Sequence, residues 1–261
     1  MTSQPSDYIS IVLGAGIVIG IAARYIAVPS DSERNDRLML IAVFTLLGGW
    51  ASTAIANVMG NIPLPKYDLF VYAFDRHLGS PSFVVGTVCG LHPVLFSLLN
   101  WAYTALPIMV TLVLLSYAWA GYSLNQPVTA ILFNVLLAPF LYLLIPVAGP
   151  RYAFASFPRE PALISLHLMP LHAPPNGIPS VHMSTAILIV RFAWRWKIGR
   201  WFAVLYLVAT IISTMAVGEH YAIDLLAGIP YALGVLALAK MPKTQLTHRT
   251  PDRQATPEPL S

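Results

Sequence analysis

Seven apolar runs punctuate the chain, at 8–28, 37–59, 101–120, 127–148, 181–196, 201–218 and 221–240. A bilayer core needs about 20 mainly apolar residues per helix, so each run reads as a candidate membrane span. The fifth is short, and spanning would require Arg191 and Arg195 to snorkel. Between the second and third runs lies a long stretch that opens Asn61-Ile62-Pro63-Leu64-Pro65-Lys66, with Pro and Gly interrupting its apolar residues. It reads as interfacial or re-entrant, although 83–98 is apolar enough for a further span or half-span. The pattern therefore predicts an all-α, polytopic membrane helical bundle of about six to seven transmembrane helices with an interfacial or re-entrant segment.

Three stretches follow from the same pattern. Residues 1–60 form an N-terminal two-span segment, 61–240 a core, and 241–261, rich in Pro, Thr, Gln and charge, a disordered tail. The first run, Tyr8 to Val28, has no basic leader and ends without a small-x-small site, so it reads as a retained span and not as a cleaved signal peptide.

Composition reinforces the membrane reading. With 57% hydrophobic and 10% charged residues and a mean hydropathy of +0.68, the chain is too apolar for an ordinary soluble domain. Cys89 is the single cysteine, which rules out an internal disulfide and any multi-cysteine metal centre. The net charge of +4 is small, and no basic tract points to nucleic acid. Threading the runs puts Arg34, Arg37, Arg195, Lys197, Arg200, Lys240 and the basic residues of the tail on one side. Only Lys66, Arg76, Arg151 and Arg159 fall on the other. The positive-inside rule makes the first side cytoplasmic, with a cytoplasmic C-terminus, in a multi-pass protein of the plasma (inner) membrane. The loops at 60–100, 149–180 and 218–220 then face the exoplasm or periplasm.

Polar groups near span ends in so apolar a chain are functional candidates by default, and three segments on the outer side collect them. At Gly149-Pro150 a helix breaks and presents Arg151, a planar cation suited to a phosphate, though an arginine that merely meets lipid headgroups would look the same. At 176–184 turn residues lead into a helix that Ser180 can cap, beside His182, a residue able to exchange a proton near neutral pH. A structural histidine is the plain alternative there. At 218–228, His220 and Asp224 stand four residues apart on one helical face, where the carboxylate could orient the imidazole; a capped helix with a local His–Asp hydrogen bond is the bland reading.

In this order and spacing the segments resemble the type 2 phosphatidic acid phosphatase superfamily. Its second motif, Pro-Ser-Gly-His, reads Pro179-Ser180-Val181-His182 here, and its third, Ser-Arg-x5-His-x3-Asp, reads Ser213-Thr214 followed by His220 and Asp224. Val147-Ala148-Gly149-Pro150-Arg151, the Ser-Thr pair, Tyr67-Asp68 and Asp75 to Gly79 look like the branch containing inositol phosphorylceramide synthase, an inositolphosphotransferase. The resemblance implies a lipid phosphotransferase or phosphatase without metal or other cofactor. His220 would form a phosphohistidine, Asp224 would orient it, His182 would protonate the leaving alcohol, and Arg151 and Ser180 would hold the phosphoryl oxygens. Leu144 replaces the lysine of the first motif and Thr214 the arginine of the third, so Arg159 becomes the candidate substitute cation. The implied partner is a membrane lipid with a phosphate or phosphodiester headgroup. A hydrolase of lipid or isoprenoid phosphate monoesters, a zinc hydrolase using the two histidines and Asp224, and a non-enzymatic transporter or lipid-binding scaffold are the competing readings.

Overall fold

The computed structural model describes residues 32–161 and 165–240, so the apolar run at 8–28 and the tail at 241–261 lie outside the described residues. Ten helices form among them: α1 (Ser32–Asn61), α2 (Asp68–His77), α3 (Pro81–Gly90), α4 (Pro93–Thr104), α5 (Leu106–Trp119), α6 (Asn125–Leu144), α7 (Pro150–Ala153), α8 (Val181–Ala193), α9 (Lys197–Ala216) and α10 (Ala222–Leu238).

By length and composition, α6 and α9 are each able to cross a membrane, and α4 with α5 makes a third candidate if the pair, bent by 51°, is one span. The protein is thus a mostly helical integral membrane protein, with shorter apolar helices, α3, α8 and α10, beside the candidate spans. The run expected at 101–120 belongs to this broken pair, which begins earlier, at Pro93. Residues 83–98 are divided between α3 and the first turns of α4, and prolines open both helices at the N-terminal positions where a missing N–H does no harm.

Helix α8 lies at the centre, packed on α5, α6, α9 and α10. Ala186, Leu188, Ile189 and Phe192 of α8 meet Leu114 and Tyr117 of α5, Ala203 and Tyr206 of α9, and Val235 of α10 in one buried cluster. Outward faces are as apolar as the core: Phe140, Trp201, Phe202, Leu205 and Leu233 are all exposed. A water-soluble bundle would not show so much exposed apolar surface. Polar groups inside are tied across helices, as where Asn134 Nδ2 of α6 donates to Thr185 Oγ1 of α8 at 2.8 Å and Tyr231 of α10 donates to the Asn134 carbonyl at 2.6 Å.

The connections at one end are pinned together. Strands β1 (Pro65–Lys66) and β2 (Met169–Pro170) pair antiparallel, and fully buried Lys66 donates from Nζ to the Leu171 carbonyl at 2.6 Å. Gly177 N–H donates to the Val147 carbonyl at 2.7 Å. The segment after α6 and the segment before α8 are thereby held side by side.

Candidate active site

The two histidines arrive from different directions. His182 sits in the first turn of α8, whose N-cap is Ser180: its Oγ accepts from Met183 N–H at 3.3 Å, as the sequence pattern expects. His220 lies in the turn between α9 and α10, its carbonyl accepting from Ser82 Oγ of α3 at 2.9 Å. The ring centroids are 6.0 Å apart at 61°. The two imidazoles are therefore close neighbours, placed so that one bound phosphoryl group can meet both.

Asp224, fully buried, accepts at Oδ2 from the Tyr221 N–H at 2.8 Å and approaches His220 Nδ1 at 3.4 Å. The first contact closes the N-terminus of α10 and fixes the carboxylate. The second is longer than a good hydrogen bond, as often found before substrate is in place. Ser180 N–H donates to the Asp224 carbonyl at 3.1 Å, which links the His182 turn to the His220 turn through backbone.

Arg151 is brought beside them by a close crossing of chains. Its N–H donates to the Gly218 carbonyl at 3.0 Å. Gly149, at φ +108°, lies so near the Glu219 carbonyl that a Cβ there would overlap it, and a Cβ at Gly218, at φ +73°, would crowd the Arg151 and Phe157 side chains. The guanidinium then meets Glu219, Nη1 to Oε1 at 2.8 Å, while Nη2 donates to the Tyr152 hydroxyl at 2.9 Å. Tyr152 in turn donates to Glu219 Oε1 at 3.2 Å, and burial, then the Glu219 charge, push its pKa up to about 12, so it stays a neutral donor.

Arg159 stands apart. It is exposed on the turn at 155–160, whose Phe157 borders Gly218, and among the described residues its side chain has no hydrogen bond or ion pair to the other candidates. The two positions that lack a family cation also differ from each other. Leu144 ends α6 with 72% of its surface exposed. Thr214 is fully buried, its hydroxyl donates to the Thr210 carbonyl at 2.8 Å, and its own carbonyl accepts from Glu219 N–H.

Four supporting residues escape sequence reasoning about roles. Tyr103 of α4 stacks on His182 with centroids 4.2 Å apart and planes at 16°. Asp68, the first residue of α2, accepts from Ala148 N–H at 2.9 Å, Gly149 N–H at 2.8 Å and Tyr221 Oη at 3.2 Å, so one carboxylate joins the Arg151 segment to the His220 segment. Asp75 accepts from Ala222 N–H at 2.9 Å and caps α10 from outside. Burial pushes both carboxyls up to about 6. Ser82 is the fourth, through the His220 carbonyl. Paired aspartates in an apolar segment, Asp68 and Asp75 seven residues apart on one helical face, were the available signal. Nothing in the sequence marks Tyr103.

A histidine beside a carboxylate, a second histidine next to it and a neighbouring guanidinium can together perform nucleophilic attack, proton transfer and charge stabilisation. Among the described residues no three His, Cys, Asp or Glu side chains converge as metal ligands, so the geometry lends no support to the zinc arrangement. No curated protein and no solved structure matches the chain significantly. The family described as PAP2 superfamily does match, over residues 69–238, a stretch that contains every residue of this cluster but Asp68. Its members are phosphatases and phosphotransferases, usually acting on phosphomonoesters. The chain belongs to the PAP2 superfamily.

Proposed function

We propose that the protein transfers a phospho-headgroup between lipid alcohols through a phosphohistidine at His220. The observation that carries this reading is the pair His220–Asp224 facing His182 across 6.0 Å, with Arg151 one chain crossing away. Asp224 holds the Nδ1 proton and leaves the Nε2 lone pair to attack phosphorus. The P–O bond to the donor alcohol breaks, and protonated His182 delivers its proton to that oxygen. His182 then takes the proton of an acceptor hydroxyl, whose oxygen attacks phosphorus as the P–N bond breaks and His220 is restored. Arg151 neutralises charge on the phosphoryl oxygens, with Ser180 at the same helix start; Arg159 is the outer cation, met on approach.

Transfer from a diester is favoured over hydrolysis of a monoester by the charges at hand. Thr214 offers a committed hydroxyl where the superfamily has a cation, and Glu219 balances Arg151. The lysine missing at Leu144 weighs less, since that position is turned to the surface. A dianion would meet a site of little net positive charge, whereas a diester carries about one charge fewer and suffers less repulsion. The inositol phosphorylceramide synthase-like motifs agree with this reading. Segment 61–100 would cover the acceptor site, where a bound hydroxyl outcompetes water by its effective concentration.

The protein sits in the plasma (inner) membrane with six to seven spans, the core at 61–240, the site exoplasmic or periplasmic, and the tail cytoplasmic. Support comes from α8, which runs from His182 to the basic turn where Arg195 lies over the rings of Tyr117 and Tyr122 at 4.6 and 4.1 Å. Purified protein incubated with labelled lipid phosphates, phosphodiesters and alcohol acceptors should yield a transfer product. Release of phosphate from phosphatidic acid or an isoprenoid phosphate, with no transfer at any acceptor concentration, would make it a hydrolase; no reaction with any of them would leave a transporter or scaffold.

A further inference from the structure

We infer that Glu219 is a built-in surrogate for the substrate's phosphate, seated on Arg151 at rest and exchanged for the phosphoryl group when substrate binds, and that this exchange sets the selectivity against dianionic monoesters. The inference rests on the phosphotransfer reading for the identity of the incoming anion.

Three contacts form a closed ring: Arg151 Nη1 to Glu219 Oε1 at 2.8 Å, Arg151 Nη2 to Tyr152 Oη at 2.9 Å, and Tyr152 Oη to Glu219 Oε1 at 3.2 Å. Both terminal nitrogens of the guanidinium are therefore engaged by protein. Glu219 Oε1 on Nη1 and the Tyr152 hydroxyl on Nη2 together fill the fork that two oxygens of a phosphate would otherwise take. The two partners are not equally placed. The Glu219 side chain is 7% exposed and that of Arg151 40%, so Arg151 is open to an incoming anion while Glu219 lies behind it. Glu219 is also the residue next to His220, and its N–H is held by the Thr214 carbonyl at 3.0 Å, which keeps its backbone in the site whichever way the side chain turns.

Exchange has a selective consequence. When phosphate takes Nη1, the Glu219 carboxylate loses its cation in a buried setting and stays close to the newcomer. The repulsion it exerts grows with the charge on the phosphate, so a monoester dianion is opposed about twice as strongly as a diester monoanion. Glu219→Gln keeps the shape and the hydrogen-bonding oxygen, removes the charge and frees Arg151.

The test uses inorganic phosphate as the probe and full-length protein in detergent, read by calorimetric titration and by inhibition of turnover. Glu219→Gln should bind inorganic phosphate at least about tenfold more tightly than wild type, and should raise kcat/KM for a short-chain lipid phosphate monoester relative to a diester by a similar factor. Glu219→Asp, which retains the charge, should show neither gain. Tyr152→Phe removes only the hydroxyl that holds Glu219 against Arg151 and should shift phosphate affinity the same way by a smaller factor; it carries the test if Glu219→Gln does not fold. Unchanged or weaker phosphate binding in folded Glu219→Gln, or in folded Tyr152→Phe where Glu219→Gln does not fold, overturns the inference. Because the titration needs no turnover, that failure is separate from failure of the phosphohistidine mechanism, which His220→Ala reports.

Discussion

Replacing Gly149 by alanine tests whether the chain crossing between the Arg151 and His220 segments positions the site. A side chain at φ +108° carries backbone strain of about 1–3 kcal/mol. The larger effect is steric: the new Cβ would overlap the Glu219 carbonyl oxygen and stand 2.8 Å from its carbon, and both are backbone atoms that cannot rotate away. Carbon atoms in contact prefer roughly 3.5–4.0 Å, so the two segments must part by roughly 0.7 Å or more. A misplacement of about 1 Å can lower turnover by about a hundredfold, so a loss of roughly tenfold to a hundredfold in kcat is expected. Turnover of a short-chain phosphate ester in micelles is measured beside thermal melting. Gly234→Ala is the control, since a Cβ at that exposed α10 position meets nothing within 4 Å and should leave turnover unchanged. A folded Gly149→Ala protein with turnover within about threefold of wild type would refute the reasoning.

His220→Ala should abolish turnover, and Asp224→Asn should lower it by orders of magnitude, because an amide favours the wrong imidazole tautomer; trapping of labelled phosphohistidine checks both. His182→Ala should spare donors with good leaving groups, a comparison read from kcat across a leaving-group series. Tyr103→Phe should behave as wild type and Tyr103→Ala should resemble a weakened His182 variant in that series, since the stacked ring holds the imidazole. Asp68 and Asp75 have folded pKa values raised to about 6, so their contribution to stability is fully present below the unfolded carboxyl range and lost as pH rises through about 6. The melting temperature should therefore climb as pH falls from neutral towards 5, and should do so less in Asp68→Asn; a flat or opposite profile would remove that role.

Periodicity and charge were enough to read a helical membrane protein, and the motif spacing brought out His182, His220, Asp224 and Arg151, which the fold gathers at one end of α8. Such residues are legible because ionisable groups are rare where lipid is the solvent. Tyr103 was not legible, because a tyrosine in an apolar run is ordinary and its stacking on His182 is a tertiary contact between residues far apart in the chain. Asp68 and Asp75 were visible as residues but not as supports, since the amides they accept from lie 80, 81 and 147 positions away along the chain. Span boundaries suffered similarly: α8 at Val181–Ala193 and α10 at Ala222–Leu238 are shorter than their apolar runs, because Trp194 to Trp196 turn the chain and Tyr221 is given over to capping.

The break at Ala105 lets the two halves of the bent pair pack on different neighbours. On its near side α4 rests on α9, where Tyr206 donates to the Ala102 carbonyl at 3.2 Å; on its far side α5 packs into the core around α8. Thr104 Oγ1 donates to the Asn100 and Trp101 carbonyls, and Pro107 brings no N–H that needs a partner, so the interruption leaves little unsatisfied backbone in an apolar setting. Tyr103 rides on the last turn before this joint. A tilt of α4 would carry its ring off His182 and would also strain the Tyr206 contact and the packing of Leu99 on Ala216, so the geometry of proton delivery is coupled to how α4 lies on α9.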